Sequence, residues 1–337
     1  MDNLTNSSDD FAKMRDGYDL PVYGLATGTF YYLHVPALFC ILCSLTCVFI
    51  AIIMSFRQKD YKTFFSWTKS ERFVVYLAIC DGGFNTFHSM DHMQYALTQD
   101  HVRPIELCEF YGFMLAEFVA AQILMVNVVA INAFMLMVFR KNLNFGKNDW
   151  RLLVWTFGLP FVASTVVAVT GQLGPNGSSC FFDGVKADVA NIAFTTVPLL
   201  LVLIVNIVMY AITLYRIKVE TNSLQLGLKT KHASRKSKRA AKNMSMFVAA
   251  FFIQWGPLGI FGIWYLIGDE RPLVLFHIVT DFSNIGGCLN LCVYLIIRHT
   301  NSENRNKAEG TQFDSNEIKG IGSTAITASN QNIFTTC

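Results

Sequence analysis

The chain has 337 residues, of which 53% are hydrophobic and only 15% charged, with a formal net charge of +3. A soluble globular chain carries about 25% charged residues, so a globule surrounded by water is excluded, and so small a net charge leaves no electrostatic footprint for nucleic acid.

Residues 1–29 are polar and acidic, with Asp2, Asp9, Asp10, Asp16 and Asp19, and lack the apolar centre of a cleaved signal peptide. Sequons at Asn3 and Asn6 mark this stretch as an extracellular, glycosylated tail. Seven apolar runs follow, at 30–56, 73–97, 110–139, 152–173, 189–215, 243–268 and 273–297. Each is long enough to cross hydrocarbon as a helix, which takes about 20 residues. The expected fold is therefore all-α: a polytopic seven-transmembrane helix bundle over 30–297, multi-pass in the plasma membrane. Residues 298–337, rich in Ser, Thr, Asn and Gln, are expected to be a disordered cytoplasmic tail.

Charge fixes the orientation. With the N-terminus outside and the C-terminus cytoplasmic, only Lys13, Arg15, Arg103, Lys186 and Arg271 of the 27 Lys and Arg are left on the outer side, as the positive-inside rule requires. The longest inner joint, 216–242, carries Arg235, Lys236, Lys238, Arg239 and Lys242. Such a run serves as retention charge beside anionic lipid and as a docking surface for a cytoplasmic partner.

Of nine cysteines, six lie inside the spans, where a thiol packs as a small hydrophobe, and Cys337 ends the chain. Cys108 and Cys180 both fall on the outer, oxidising side and are expected to form a disulfide. A third outer sequon begins at Asn176.

Ionisable groups at membrane depth are functional candidates. In the second run Asp81, His88 and His92 share a helix face, while Asp91 lies about 80° away; the last three are expected near the outer surface, as ligand contacts or as an interfacial polar cluster. The third run carries Glu117, Gln122, Asn127 and Asn132, with Glu117 at the depth of a cavity between helices. It is either a ligand counter-ion or half of an internal pair. In the seventh run Asp281 and Asn290 are about 180° apart on a straight helix, so both face the bundle axis only if Gly286-Gly287 permits a kink.

These residues resemble a seven-transmembrane G-protein-coupled receptor. Leu77-Ala78-Ile79-Cys80-Asp81, Phe251-Phe252-Ile253-Gln254-Trp255-Gly256-Pro257 and Asn290-Leu291-Cys292-Val293-Tyr294 are similar to motifs of the second, sixth and seventh spans of rhodopsin-like receptors. Asn132-Ala133-Phe134 stands where those receptors have Asp-Arg-Tyr, and the first basic residues after it are Arg140-Lys141. Cys108-Glu109-Phe110-Tyr111-Gly112-Phe113, Trp150 with Gly158-Leu159-Pro160, and Gly171 to Phe182 look more like the cAMP-receptor-like group. The whole resembles a divergent receptor of mixed character.

The resemblance implies an extracellular ligand, of identity the sequence does not give, bound among Glu117, His88, Asp91, Trp255 and Asp281. It implies a polar switch core of Asp81, Asn290 and Tyr294, with a sodium ion allowed at Asp81, and a moving sixth span hinged at Trp255 and Pro257. Partners would be a heterotrimeric G protein, met by Arg140, Lys141 and the basic run, and arrestin; no organic cofactor is implied. A transporter or channel built on the intramembrane carboxylates is the alternative. A retinal protein lacks its Lys in the last run, and no zinc-hydrolase or serine-hydrolase motif is present, so enzyme activity is not expected.

Overall fold

The computed structural model describes residues 14–225, 231–267, 273–300 and 302. Asn3, Asn6 and most of the C-terminal tail lie outside the described residues. The chain divides into two units, 1–293 and 294–337, and the first contains the geometry below.

Seven helical crossings, here called spans one to seven, follow in order. Span one is Phe30–Gln58, span two Lys69–Thr98 and span three Ile105–Val138. Span four runs from Trp150–Leu153 through a π-helical turn, Val154–Gly158, into Leu159–Val169. Span five repeats that construction, with Asp188–Asn191, a π turn at Ile192–Thr196, and Val197–Gln225. Span six is Lys231–Ile267; span seven is a bent pair, Leu273–Asn284 and Gly286–Thr300, at 49°. Span three touches spans two, four, five and six, and span seven closes onto span one.

Among the described residues, five of these helices are long and apolar enough to cross a membrane by composition, and the bent pair makes a sixth. Span two is the exception because Arg72, Asp81, His88, Asp91 and His92 all lie in it, and all are buried in the bundle. Polar groups that face protein find partners there, so their cost is offset by hydrogen bonds that composition does not count. The opposite surface is apolar: Phe39, Phe49, Val162, Leu201 and Val208 are more than half exposed, the pattern of a face that meets lipid.

Several boundaries depart from the sequence reading, among them the end of span five, which runs to Gln225 rather than 215. Span three starts at Ile105, so Cys108 lies within its first turn. Span four ends at Val169, because Leu173–Pro175 forms strand β1, paired antiparallel with β2, Cys180–Phe182. The fold is thus helical with one hairpin. Span six begins at Lys231, so the basic run rides on its helix rather than in a joint.

The hairpin is anchored to span three by the Cys108 to Cys180 disulfide, with Cα atoms 5.2 Å apart. Gly112 permits the contact: a Cβ there would come 2.8 Å from the Phe181 carbonyl oxygen. Asp91 holds the other side, both carboxylate oxygens accepting from the Cys180 amide at 3.2 Å. Residues 14–29 then lie across the hairpin. Gly17 N donates to Asp183 at 2.9 Å, Tyr23 N to the Gly177 carbonyl at 2.8 Å, and Tyr18 Oη to the Val102 carbonyl at 3.0 Å. Burial pushes the Tyr18 hydroxyl up to about 12, which keeps it a donor.

The cytoplasmic end is held by a buried ion pair. Arg72 donates to Asp149 through Nε at 2.6 Å and through a terminal nitrogen at 3.0 Å, and Tyr76 adds a third donor at 3.0 Å. Asn148 and Asp149 both take left-handed backbone conformations, φ 55° and 56°, which short polar side chains tolerate best and which turn the carboxylate toward span two. Lys59 and Glu71 form an exposed pair at 2.7 Å. Removing one partner of a buried pair costs about 3 to 5 kcal/mol, whereas an exposed pair contributes about 0 to 1 kcal/mol. Asp149→Ala should therefore lower the thermal unfolding midpoint of the purified protein markedly and Lys59→Ala hardly at all; equal effects would refute this ranking.

Candidate functional site

Below the hairpin lies a cavity of about 270 Å³. Its roof is Tyr23 with Asn176 to Ser179 of the hairpin turn, its sides come from spans three, five, six and seven, and its floor includes Phe84, Trp255 and Ser283. Aromatic and aliphatic side chains dominate, and no Lys or Arg is among the described residues of the walls. A largely apolar cleft with a few convergent polar groups is the usual form of a small-molecule site.

The floor is wired to a buried polar core. Trp255 Nε1 donates to Gln122 Oε1 at 3.0 Å. Indole nitrogen is a donor only, so this contact fixes the amide orientation and turns Gln122 Nε2 onto Asp81 Oδ1. Asn290 Nδ2 donates to Asp81 Oδ2 at 2.6 Å, and Gln254 Nε2 to the Ser283 carbonyl at 2.9 Å. On the far side Asn85 donates to Ser44 Oγ at 3.1 Å, and that hydroxyl accepts from Gly287 N at 2.9 Å. Spans one, two, three, six and seven thus meet around one carboxylate. Gly286 and Gly287 make this approach possible: a Cβ on the first would come 2.3 Å from Asp81 Oδ1, and on the second 2.5 Å from the Ser44 carbonyl. The bend at Ile285 lets Asn290 reach the core. Tyr294, expected in the same cluster, falls in the second unit.

A sodium ion at Asp81 does not fit these residues. Amide N–H groups of Gln122 and Asn290 are directed at both carboxylate oxygens, where a cation would need to approach.

Beside the core runs a chain of three buried histidines. Asn284 Nδ2 donates to the Thr280 carbonyl at 2.7 Å, so its Oδ1 accepts from His88 Nδ1 at 2.8 Å. With His88 protonated on Nδ1, its Nε2 accepts from His92 Nε2 at 2.9 Å, and His92 Nδ1 accepts from His34 Nδ1 at 2.7 Å. Neutral rings therefore have one tautomer each, and His34 Nε2 ends the series without a partner among the described residues. Sequence reading placed His88, Asp91 and His92 near the outer surface; the structure buries all three and adds His34, which lies in span one and has no periodic relation to them.

The structure brings His88 and Trp255 to the cavity, with His92, but not Asp91, Glu117 or Asp281. Asp91 anchors the hairpin, having turned away from the histidine face by the angle the helix dictates. Glu117 is buried, and its Oε2 has no partner among the described residues. Asp281 is half-buried. Asp81, Glu117 and Asp281 are therefore not gathered along one path. Asn176 Oδ1 accepts from Ser178 and Ser179 amides at 3.1 and 3.0 Å and so builds the hairpin turn.

At the inner end Asn132 Nδ2 meets Met244 Sδ at 3.1 Å, joining spans three and six. Arg140 reaches across to Glu220 of span five, contacting both carboxylate oxygens at 2.8 Å. Lys141, Arg239 and Lys242 are exposed and Lys238 half-buried; Arg235 and Lys236 occupy the same helical extension of span six.

Residues 47–297 match the family described as 7 transmembrane receptor (rhodopsin family). No curated protein matches the chain.

Because amide N–H groups meet both Asp81 oxygens, the unfolding midpoint should be the same in sodium chloride and in N-methylglucamine chloride of equal ionic strength. A rise specific to sodium would contradict this assignment. Gln122→Leu removes one donor to Asp81 and leaves Trp255 Nε1 without its acceptor, at about 1 to 3 kcal/mol for an orphaned buried group, and should lower that midpoint in either salt.

Proposed function

Since this chain belongs to the rhodopsin family of seven-transmembrane receptors, we propose that it carries an extracellular ligand signal across the plasma membrane to a heterotrimeric G protein. It acts as a receptor with no catalysis of its own, and arrestin is a further partner through the same inner face. The ligand occupies the cavity beneath the hairpin, against His88 and Trp255. Asn3 and Asn6 carry glycans on the outer tail.

The observation that carries this reading is the amide of Gln122, which joins the cavity floor to Asp81 in one step. A ligand displacing Trp255 removes the shorter of the two donors to the Gln122 oxygen, leaving Gln254 Nε2 at 3.3 Å, and so loosens the amide that holds Asp81. The Asp81 to Asn290 bond changes with it, so spans two and seven follow the sixth. Pro257 lacks the N–H that would bond Ile253, which makes that turn of span six the place where it swings. A ligand with greater affinity for the rearranged packing shifts the population toward it.

Inside, the swing opens a cleft edged by Arg140, Lys141, Lys238, Arg239 and Lys242, with Arg235 and Lys236 on the same helix. The Arg140 to Glu220 pair, beyond the Asn132-Ala133-Phe134 stretch that replaces Asp-Arg-Tyr, takes over the resting-state restraint by tying the end of span three to span five. The mixed character of the sequence leaves the receptor subgroup to its ligand chemistry.

A ligand-library screen read by G-protein dissociation and arrestin recruitment tests the function; no recruitment under any condition would overturn it. At matched surface expression, Glu220→Gln should raise ligand-free G-protein dissociation several-fold, since it frees Arg140. Unchanged basal signal would remove the pair from the resting-state restraint.

A further inference from the structure

A second cavity, of about 180 Å³, lies between spans three, four and five in the outer half of the bundle. It shares Val119, Phe181, Phe182 and Thr195 with the first cavity, so the two are separated by one layer of side chains. Its walls are hydrocarbon apart from the hydroxyls of Ser164 and Thr195. At its rim Leu159 and Phe194 are 47% and 43% exposed, on a face whose neighbours Phe161 and Val162 are exposed as well. The medium outside that rim is the bilayer.

These facts narrow the occupant. Water needs two to four polar partners to be held in a cavity, and two hydroxyls on opposite walls do not supply them. An empty space forfeits the dispersion contacts of its lining. The π turns at Val154–Gly158 and Ile192–Thr196 both border this region, and Phe194 and Thr195 of the second are themselves walls; such turns widen a helix locally and recur at functional sites. The adjoining main cavity is roofed by Tyr23 and the hairpin, and, with no Lys or Arg among the described residues that line it, its polar side offers acceptors. Asp188 is one, taking the Tyr265 hydroxyl at 2.8 Å.

We propose that the ligand is a single-chain lipid amphiphile. Its hydrocarbon tail fills the cavity between spans three, four and five, and its head, a neutral or cationic group that donates hydrogen bonds, lies in the main cavity. It enters sideways from the outer leaflet between spans four and five. Phe181 and Phe182 form the partition that the tail passes. This rests on the receptor reading for its significance and on the two cavities for its geometry. Among the described residues that line the two cavities, no Lys or Arg is present to meet an anionic phosphate head.

The test uses the full-length protein in phospholipid nanodiscs. The probe is a monoacyl ethanolamide with a diazirine near the tail end; a second arm uses a phosphatidylcholine with the same diazirine. Cross-linked residues are mapped by mass spectrometry, with and without excess unlabelled ethanolamide. The expected result is labelling of residues 116–124, 159–167 or 194–202 by the monoacyl probe, suppressed by competitor. Ala120→Phe and Ala163→Phe, which fill the space from opposite walls, should each reduce that labelling about tenfold, equivalent to about 1.4 kcal/mol of affinity. The unfolding midpoint of both variants checks that they fold, and the proposal stands if either folded variant shows the loss.

Equal labelling by phosphatidylcholine, or labelling that competitor does not reduce, would assign the space to bulk bilayer lipid and overturn the proposal. Labelling confined to exposed residues such as Phe161 and Val162 would do the same. A ligand that drives G-protein dissociation equally in wild type and both filled variants would also overturn it while leaving the receptor reading intact. Specific tail labelling without any G-protein response would uphold the site and count against the receptor reading.

Discussion

One carboxylate sets the arrangement of this bundle. Asp81 is fully buried, and a charge or carboxyl group out of water persists only where hydrogen bonds meet it. Gln122 and Asn290 meet it from spans three and seven, and Gly286 leaves room for it. Because Gln122 has a second task, accepting from Trp255, the requirement extends to span six and to the cavity floor. The polar core and the ligand cavity are therefore not separate modules that happen to be adjacent. They share a side chain whose orientation is decided by a donor on one side and read by an acceptor on the other.

The two ends of the molecule are stabilised differently. Outside, a disulfide, a doubly accepting Asp91 and a backbone strap of residues 14–29 fix the hairpin over the cavity. Inside, Arg72 and Asp149 fasten the segments that join spans one to two and three to four, Arg140 and Glu220 tie the end of span three to span five, and Asn132 meets Met244 of span six.

Much of this was legible in the sequence, and the limits have physical causes. Lys and Arg placement gave orientation because short loops obey a one-sided electrostatic bias, and Cys108 and Cys180 stood out as the two outer cysteines. The seven runs were visible even in span two, whose polar residues hide it from a composition test. What periodicity on a single helix cannot show is which neighbour a side chain meets. Gln122 was visible as a polar residue of span three, yet its importance comes from Trp255 and Asp81, 133 and 41 positions away in sequence. His34 lies 58 positions from His92 and joins the chain only through packing. Arg72, Asp149, Arg140 and Glu220 look like ordinary charges at span ends until packing pairs Arg72 with Asp149 and Arg140 with Glu220. The carboxylates singled out by depth alone, Glu117 and Asp281, were not drawn into the cavity, because depth fixes distance from the surface and leaves rotation about the helix open.

The histidine chain has a direction. Starting at Asn284, each ring nitrogen is assigned by the one before it, and the assignment ends on His34 in span one. Information about the amide of span seven is thereby written as the position of protons on three rings, without any displacement of backbone. Were that amide to reverse, every ring in the row would have to exchange its tautomer together, so spans one, two and seven register a local rotation as a single collective event that ring-nitrogen chemical shifts would read directly.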